Sequence, residues 1–181
     1  MNPLARIPNV TLATELTIGR IREAGISTIT ARDLILTIVP EVESRIEEMI
    51  RELVSRAKFA PTALGSFLIK DNLDSYFQSW KEREKILKDV FGFSVSGSKI
   101  GQDFQLLVDV RNALMHGNGS FTSQQSQSLT AVLTLKKKLG VDLSVEVQGQ
   151  KLLLDGLNRI KVCDAASKYL VEADLKCMGS Q

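Results

Sequence analysis

Arg111 and His116 are the two side chains of this sequence whose chemistry stands out. His116 is the only histidine among 181 residues, and an imidazole can accept or donate a proton near neutral pH. Arg111 lies five residues earlier, and a guanidinium binds phosphate through two parallel hydrogen bonds. Proton transfer and anion binding are both needed at a phosphate ester. The pair is therefore the candidate for a phosphate-directed site.

Arg111 also breaks the pattern of the segment that carries it. Apolar residues recur at Ile100, Phe104, Leu107 and Leu114, which is the spacing of one stripe on a helix. Arg111 falls on this stripe, where a leucine would be expected. A lone guanidinium on a buried face costs several kcal/mol unless an anionic group meets it. The position of Arg111 thus indicates an anionic partner or ligand.

The helix predicted around the motif ends just after the histidine. Gly117 and Gly119 are typical of a helix C-terminus, which puts His116 in the last turn. Residues five apart are separated by about 140° around a helix, so Arg111 and His116 do not share a face. The face of His116 also carries Gln105, Asp109 and Asn112. The long Arg111 side chain could still reach the same phosphate, either where the helix unwinds or across a twofold axis between two copies.

The segment Arg111-Asn112-x-x-x-His116 resembles the R-x4–6-H motif of the HEPN superfamily (higher eukaryotes and prokaryotes nucleotide-binding domains). In that family the motif lies at the end of a helix in an all-α bundle, and a polar residue often follows the arginine. Catalytic members are metal-independent ribonucleases that act as dimers with two motifs facing each other. The order of elements, with a β-hairpin and a final helix after the motif, most resembles the RiboL-PSP-HEPN branch.

This resemblance implies a role for each motif residue. Arg111 and His116 would be catalytic, and Asn112 would bind the substrate or orient the imidazole. The substrate would be RNA, the protein a homodimer without a metal or cofactor, and its role that of a toxin or defence effector. An antitoxin or operon partner is compatible with that role. Some members place an acidic residue near the arginine, for which Glu43 and Glu47 are the candidates.

Two other functions remain open from the sequence. Many members of the family have lost activity, and the chain could be a non-catalytic helical module that binds RNA, a nucleotide or a protein partner. It could also be a structural adaptor in which Arg111 is paired internally, with Asp109 or with an acidic helix face. Some toxins of the family carry a tyrosine two residues after the histidine, which a nucleotidyltransferase modifies. Asn118 occupies that position here, so neutralisation by this route is not expected.

The composition of the chain limits which of these functions are compatible with it. At 20.0 kDa, with 44% hydrophobic and 24% charged residues, the chain is expected to form one domain over residues 1–181. A net charge of +2 restricts any RNA site to a local patch. Cys163 and Cys177 would lie about 21 Å apart on one helix, too far to form a disulfide, so we expect reduced thiols in a cytoplasmic protein. We find no apolar run of membrane length, no signal peptide, and no nucleotide-loop or zinc motif.

The remaining elements predict a mainly α fold, a HEPN-like helical bundle with a small β-hairpin before the C-terminal helix. An irregular lead-in over residues 1–9 and a mobile polar loop over 117–128 are expected, with a hairpin over 141–154. Pro40 either kinks the second helix or begins another one. Helices are predicted over residues 11–24, 31–57, 63–91, 99–115, 129–139 and 158–176. The inward face of the second helix is predicted to be Val42, Ile46, Met49, Ile50, Leu53 and Val54.

Three charged groups admit a structural and a functional interpretation. The acidic residues of the second helix are most simply a solvated face. A basic side formed by Lys81, Arg83, Lys85 and Lys88 could meet an RNA backbone, although a solvated face is commoner. The lysine run 136–138 suits the carbonyl end of a helix and is compatible with RNA as well.

Overall fold

The computed structural model describes residues 9–57, 74 and 77–179. These residues form six α-helices and one antiparallel two-stranded sheet. None of the described helices has the length and apolar character needed to cross a membrane. The helices are α1 (Leu12–Ile26), α2 (Ala31–Arg56), α3 (Trp80–Asp89), α4 (Lys99–His116), α5 (Leu129–Lys138) and α6 (Arg159–Gly179). The strands are β1 (Glu146–Gln148) and β2 (Lys151–Leu153).

The predicted mainly helical fold, with a hairpin before the last helix, is confirmed. Helices α1, α2, α4 and α6 pack against one another around a single core. The six residues predicted to face inward on α2 are all buried, as their 3.6-residue spacing requires. The lead-in residues 1–8 and most of the region 58–76 lie outside the described residues, and with them the first half of the helix predicted over 63–91.

Pro40 lies inside α2, which runs without interruption from Ala31 to Arg56. The alternative of a second helix beginning at Pro40 is therefore wrong. A proline removes one helical hydrogen bond because it has no N–H. Pro40 is exposed, so water can satisfy the carbonyl that has lost its partner. Strong packing of the apolar face on both sides of Pro40 outweighs the local cost.

An aromatic cluster fixes α3 against α4 and α6. The ring centroid of Trp80 lies 4.9 Å from that of Phe104 and 5.2 Å from that of Tyr169. The Tyr169 hydroxyl donates a hydrogen bond to the carboxylate of Glu84. Burial, followed by the charge of Glu84, raises the pKa of Tyr169 well above its usual value. The tyrosine stays a neutral donor, and Glu84 is held inside the fold.

A buried arginine joins α1, α2 and α6. Arg45 is 2% exposed, and its guanidinium contacts Glu48 at 3.0 Å, Glu52 at 3.2 Å and Asp174 at 3.7 Å. Its Nε also donates to the hydroxyl of Thr14 at 3.0 Å. Glu48 and Glu52 remain exposed, as predicted for the solvated acidic face of α2, and they also take part in this ion-pair network. The spacing of residues on α2 alone gave no sign of it.

The hairpin is shorter than predicted. Residues Leu139–Leu143 form a π-helical turn that continues α5, and the strands begin only at Glu146. The prediction of strand at Val141 and Leu143 is wrong, because alternating apolar residues also suit a tight turn that buries Leu139 and Leu143. Ser144 adopts a left-handed conformation with φ 58°, which ends the turn. Val147 then pairs with Leu152 in the sheet.

Both cysteines are free thiols on α6, as predicted. Cys177 is buried, and this burial, together with the nearby charge of Asp174, raises the pKa of its thiol to about 12. Burial also raises the pKa of Cys163. Neither environment favours the thiolate that nucleophilic cysteine chemistry requires.

Candidate functional site

Helix α4 carries the motif to the place that the sequence predicts. The helix begins after Ser98, whose hydroxyl accepts a hydrogen bond from the N–H of Gly101. It ends at His116, with Gly117 as the capping residue. The apolar residues Phe104, Leu107 and Leu114 bury one face in the core. The opposite face, which holds Asp109, Asn112 and His116, is left for the site.

The turn after His116 depends on Gly117. The carbonyl of Ala113 accepts hydrogen bonds from the N–H of Gly117 at 3.0 Å and from that of Gly119 at 2.9 Å. A Cβ on Gly117 would lie 1.9 Å from the carbonyl oxygen of Ser120, which leaves no room for any side chain. Gly119 has φ +83°, in the region that glycine adopts without strain. The glycines predicted to stop the helix therefore do so by a close backbone approach and a left-handed turn.

We expect Gly117→Ala to destabilise the domain by about 1–3 kcal/mol, because the added methyl must displace a backbone oxygen. Thermal unfolding followed by circular dichroism would measure the loss. Gly97→Ala is the matched control, since a Cβ there meets no atom within 4 Å. Equal melting temperatures for the two variants would contradict the tight approach at Gly117.

Arg111 is only loosely paired within the protein. Its Nη1 donates a hydrogen bond to Oδ1 of Asn112 at 3.1 Å, and its Nη2 lies 4.0 Å from Oε2 of Glu43. Of the two glutamates considered from the sequence, Glu43 approaches Arg111, whereas Glu47 pairs with Arg51 at 2.8 Å. A guanidinium has five N–H donors, so most of those of Arg111 are not used by these contacts. Its side chain is 26% exposed and can reach a ligand.

His116 lies at the solvent-facing end of α4. It is exposed, and within the described residues its imidazole makes no hydrogen bond. The side-chain oxygen Oδ1 of Asn112 accepts from Arg111, so Asn112 orients the guanidinium here rather than the imidazole. All three side chains line the same groove. The helix end thus brings together the three residues that the motif singled out.

This groove is large and open, and its lining is polar and apolar in about equal parts. Its volume is about 1400 Å³, above the roughly 300–1,000 Å³ that is usual for a small-molecule pocket. Helix α4 lines it from Gln102 to His116, a length of about 21 Å at 1.5 Å per residue. The start of α3, the segment 122–128 and α5 also contribute to the lining. The dimensions suit an extended ligand better than a compact one.

The segment 117–128, predicted to be a mobile polar loop, is attached to the domain at three places. The N–H of Phe121 donates to the carbonyl of Gln150 at 2.9 Å, and the carbonyl of Gly119 accepts from Leu152 at 2.8 Å. The side-chain amide of Gln125 donates to the carbonyl of Asp109 at 2.8 Å. Phe121 is itself buried. These contacts hold the segment beside the groove, and its mobility stays a prediction.

Asp109 is a partly buried carboxyl that lines the groove. Burial raises its pKa, while hydrogen bonds from Gln105 and Gln125 and the charge of Lys138 partly oppose this effect. Gln105 donates to Oδ1 at 3.3 Å. No ion pair joins Asp109 to Arg111 within the described residues. Of the two internal pairings considered from the sequence, the one with an acidic helix face is present, through Glu43 of α2 at 4.0 Å.

Cations outnumber carboxylates along the groove. Arg83, Arg111 and Lys138 line it together with His116, against Glu43 and Asp109. The excess is one positive charge with His116 neutral, and it is local to the groove, since the chain as a whole has a net charge of only +2. From the sequence, Arg83 was expected only on a basic side of its helix. Arg83 lines the groove because α3 packs on α4.

Metal-binding residues are not clustered in the described part of the chain. No three side chains of His, Cys, Asp or Glu lie close enough there to hold an ion. Comparison of the chain with family models, with curated proteins and with solved structures finds no match. The function must therefore be argued from the groove itself.

Proposed function

We propose that this chain is a metal-independent endoribonuclease of the HEPN type. The observation that carries the proposal is the grouping of Arg111, Asn112 and His116 in one groove, with the Arg111 guanidinium only loosely paired. A guanidinium that retains free donors beside an exposed imidazole suits a phosphate ester. The length of the groove suits a strand rather than a mononucleotide.

The chemistry uses few groups. A general base removes the proton of the ribose 2′-hydroxyl, whose oxygen forms a bond to the adjacent phosphorus. Arg111 stabilises the negative charge that develops on the phosphorane oxygens. The bond from phosphorus to the 5′-oxygen breaks, and a general acid protonates the departing oxygen. The products are a 2′,3′-cyclic phosphate and a 5′-hydroxyl, and DNA is not a substrate because it lacks the attacking hydroxyl.

A homodimer supplies the second proton-transfer group. Each chain has one histidine, whereas the reaction needs a base and an acid at the same phosphate. His116 is exposed at the end of α4, so the imidazole of a second copy can approach the same phosphate. We propose that two motifs face each other and share the two roles. A cytoplasmic toxin or defence effector, controlled by an antitoxin or operon partner, is the corresponding biological role.

A non-catalytic binding module is the second candidate, and helix α5 favours it. None of the residues of α5 is buried, and Leu129 and Leu133 are 75% and 57% exposed. Such a helix face is suited to a protein partner. In this case Arg111 and His116 would bind RNA or a nucleotide without cleaving it.

Incubation of the purified protein with total cellular RNA in EDTA tests the proposal. We expect cleavage that leaves 2′,3′-cyclic phosphate ends, with no cleavage of a DNA strand of the same sequence. A chimeric strand with one ribose in a DNA background should be cut only after that ribose. Intact RNA across pH 5 to 9, at protein concentrations that give a dimer, would exclude the ribonuclease and favour the binding module.

A further inference from the structure

The Arg83 side chain is largely buried and has no hydrogen-bond or ion-pair partner among the described residues. The residue is 8% exposed, and its Nε is shielded from solvent yet makes no hydrogen bond. None of the ion pairs among the described residues includes Arg83. A buried charge without a partner is unfavourable, so an anion that reached this guanidinium would be bound favourably.

The carboxylate nearest in sequence is not available to Arg83. Glu84 accepts hydrogen bonds from the Tyr169 hydroxyl and, at 3.2 Å, from the hydroxyl of Ser94. It also accepts from the N–H of Ser96 at 3.4 Å. These contacts turn Glu84 into the fold, while Arg83 lines the groove. The groove is thus the place from which an anion can reach Arg83.

Arg83 belongs to a turn of α3 that packs beside the first half of α4, whereas His116 is the last residue of α4. The contacts of Glu84 with Ser94 and Ser96 fix this turn of α3 beside the start of α4, and Trp80 packs on Phe104. His116 lies at the other end of α4, on the order of 20 Å away at 1.5 Å per residue. One phosphate cannot reach both positions, whereas a strand with repeated phosphates can.

From these contacts we infer that Arg83 binds a second phosphate of a single RNA strand, several nucleotides from the scissile phosphate at Arg111 and His116. The inference rests on the proposed function and extends it to the path of the substrate. The strand enters beside α3, follows α4 past Gln102 and Gln105, and reaches the motif at the helix end. Arg83 is a binding residue for a non-reacting phosphate and takes no part in proton transfer.

Arg83→Met separates a binding role from a structural one. Methionine retains most of the apolar stem and removes the unpaired charge, so we expect the free protein to melt about 2–4 °C higher. Affinity for a strand of about 12 nucleotides made of 2′-O-methyl RNA, which cannot be cleaved, should fall about tenfold. The slope of log affinity against log salt should decrease by about 0.7. A purely structural arginine would lose stability on the same change.

Lys88→Met is the matched control, because Lys88 lies on the same helix, is exposed and does not line the groove. Fluorescence anisotropy over a salt series, with thermal unfolding of each protein, measures both quantities. Higher stability with weaker binding in Arg83→Met, and wild-type binding in Lys88→Met, supports the inference. Wild-type affinity in Arg83→Met, or a joint loss of affinity and stability, overturns it.

The same proteins, given cleavable RNA, keep this inference distinct from the proposed function. If the wild type cleaves RNA and Arg83→Met binds the uncleavable strand with wild-type affinity, the proposed ribonuclease is supported and the inferred role of Arg83 is refuted. If binding depends on Arg83 but no RNA is cleaved, the inferred role of Arg83 is supported and the proposed ribonuclease is refuted. A wild-type protein that does not bind the strand overturns the assignment of the groove to RNA, and with it the inference.

Discussion

His116→Ala is expected to lower the rate of RNA cleavage by about 10²–10⁴-fold, the usual contribution of a general acid or base. Binding of an uncleavable strand should stay near wild type, because the imidazole is exposed and makes no hydrogen bond within the described residues. Arg111→Ala should lower the rate by about 10²–10³-fold through loss of charge stabilisation and should weaken binding too. Single-turnover cleavage and anisotropy would separate the two effects.

Two surface variants serve as controls for these losses. Met115→Ala changes the residue next to His116. Met115 is 54% exposed and does not line the groove. Arg22→Ala removes a cation from an exposed position on α1. Both should retain cleavage. Arg111→Lys retains the charge but loses the forked geometry, so an intermediate rate is expected. Full activity in folded His116→Ala protein would refute the assigned role.

Arg45→Met is expected to produce the largest change in stability. Removal of the guanidinium leaves Asp174 buried and without its cation, and breaking a buried pair in this way costs about 3–5 kcal/mol. For a domain of this size the melting temperature should fall by on the order of 10 °C. Denaturant unfolding with a constant slope would measure the free energy directly.

Arg51→Met is the control, since it removes a cation from the same helix. The Arg51 side chain, which pairs with Glu47, is 45% exposed. An exposed pair of this kind contributes about 1 kcal/mol or less. Addition of Asp174→Asn to Arg45→Met removes the uncompensated charge and should recover part of the loss. If Arg45→Met costs no more than Arg51→Met, the buried network does not hold α1, α2 and α6 together.

Local signals in the sequence determined the elements that carry the motif. Helix α4 was predicted over residues 99–115 and spans Lys99–His116, because Ser98 and Gly117 act on their own neighbours through caps and turns. The inward face of α2 followed from its 3.6-residue period. The position of the hairpin was confirmed, but its first three predicted residues belong to a π-helical turn, since alternation alone does not distinguish the two.

Only the tertiary structure decided which charges meet. Glu43 rather than Glu47 is the neighbour of Arg111, and Arg45 is buried with Asp174. Arg83 has no partner in the part of the chain that the structure describes. All three results depend on contacts between helices far apart in sequence. The same holds for Arg159, which donates hydrogen bonds to carbonyls at the end of α1. A helical period shows which face of a helix is buried. It does not show which residue of another helix lies opposite, because that depends on how the whole bundle packs.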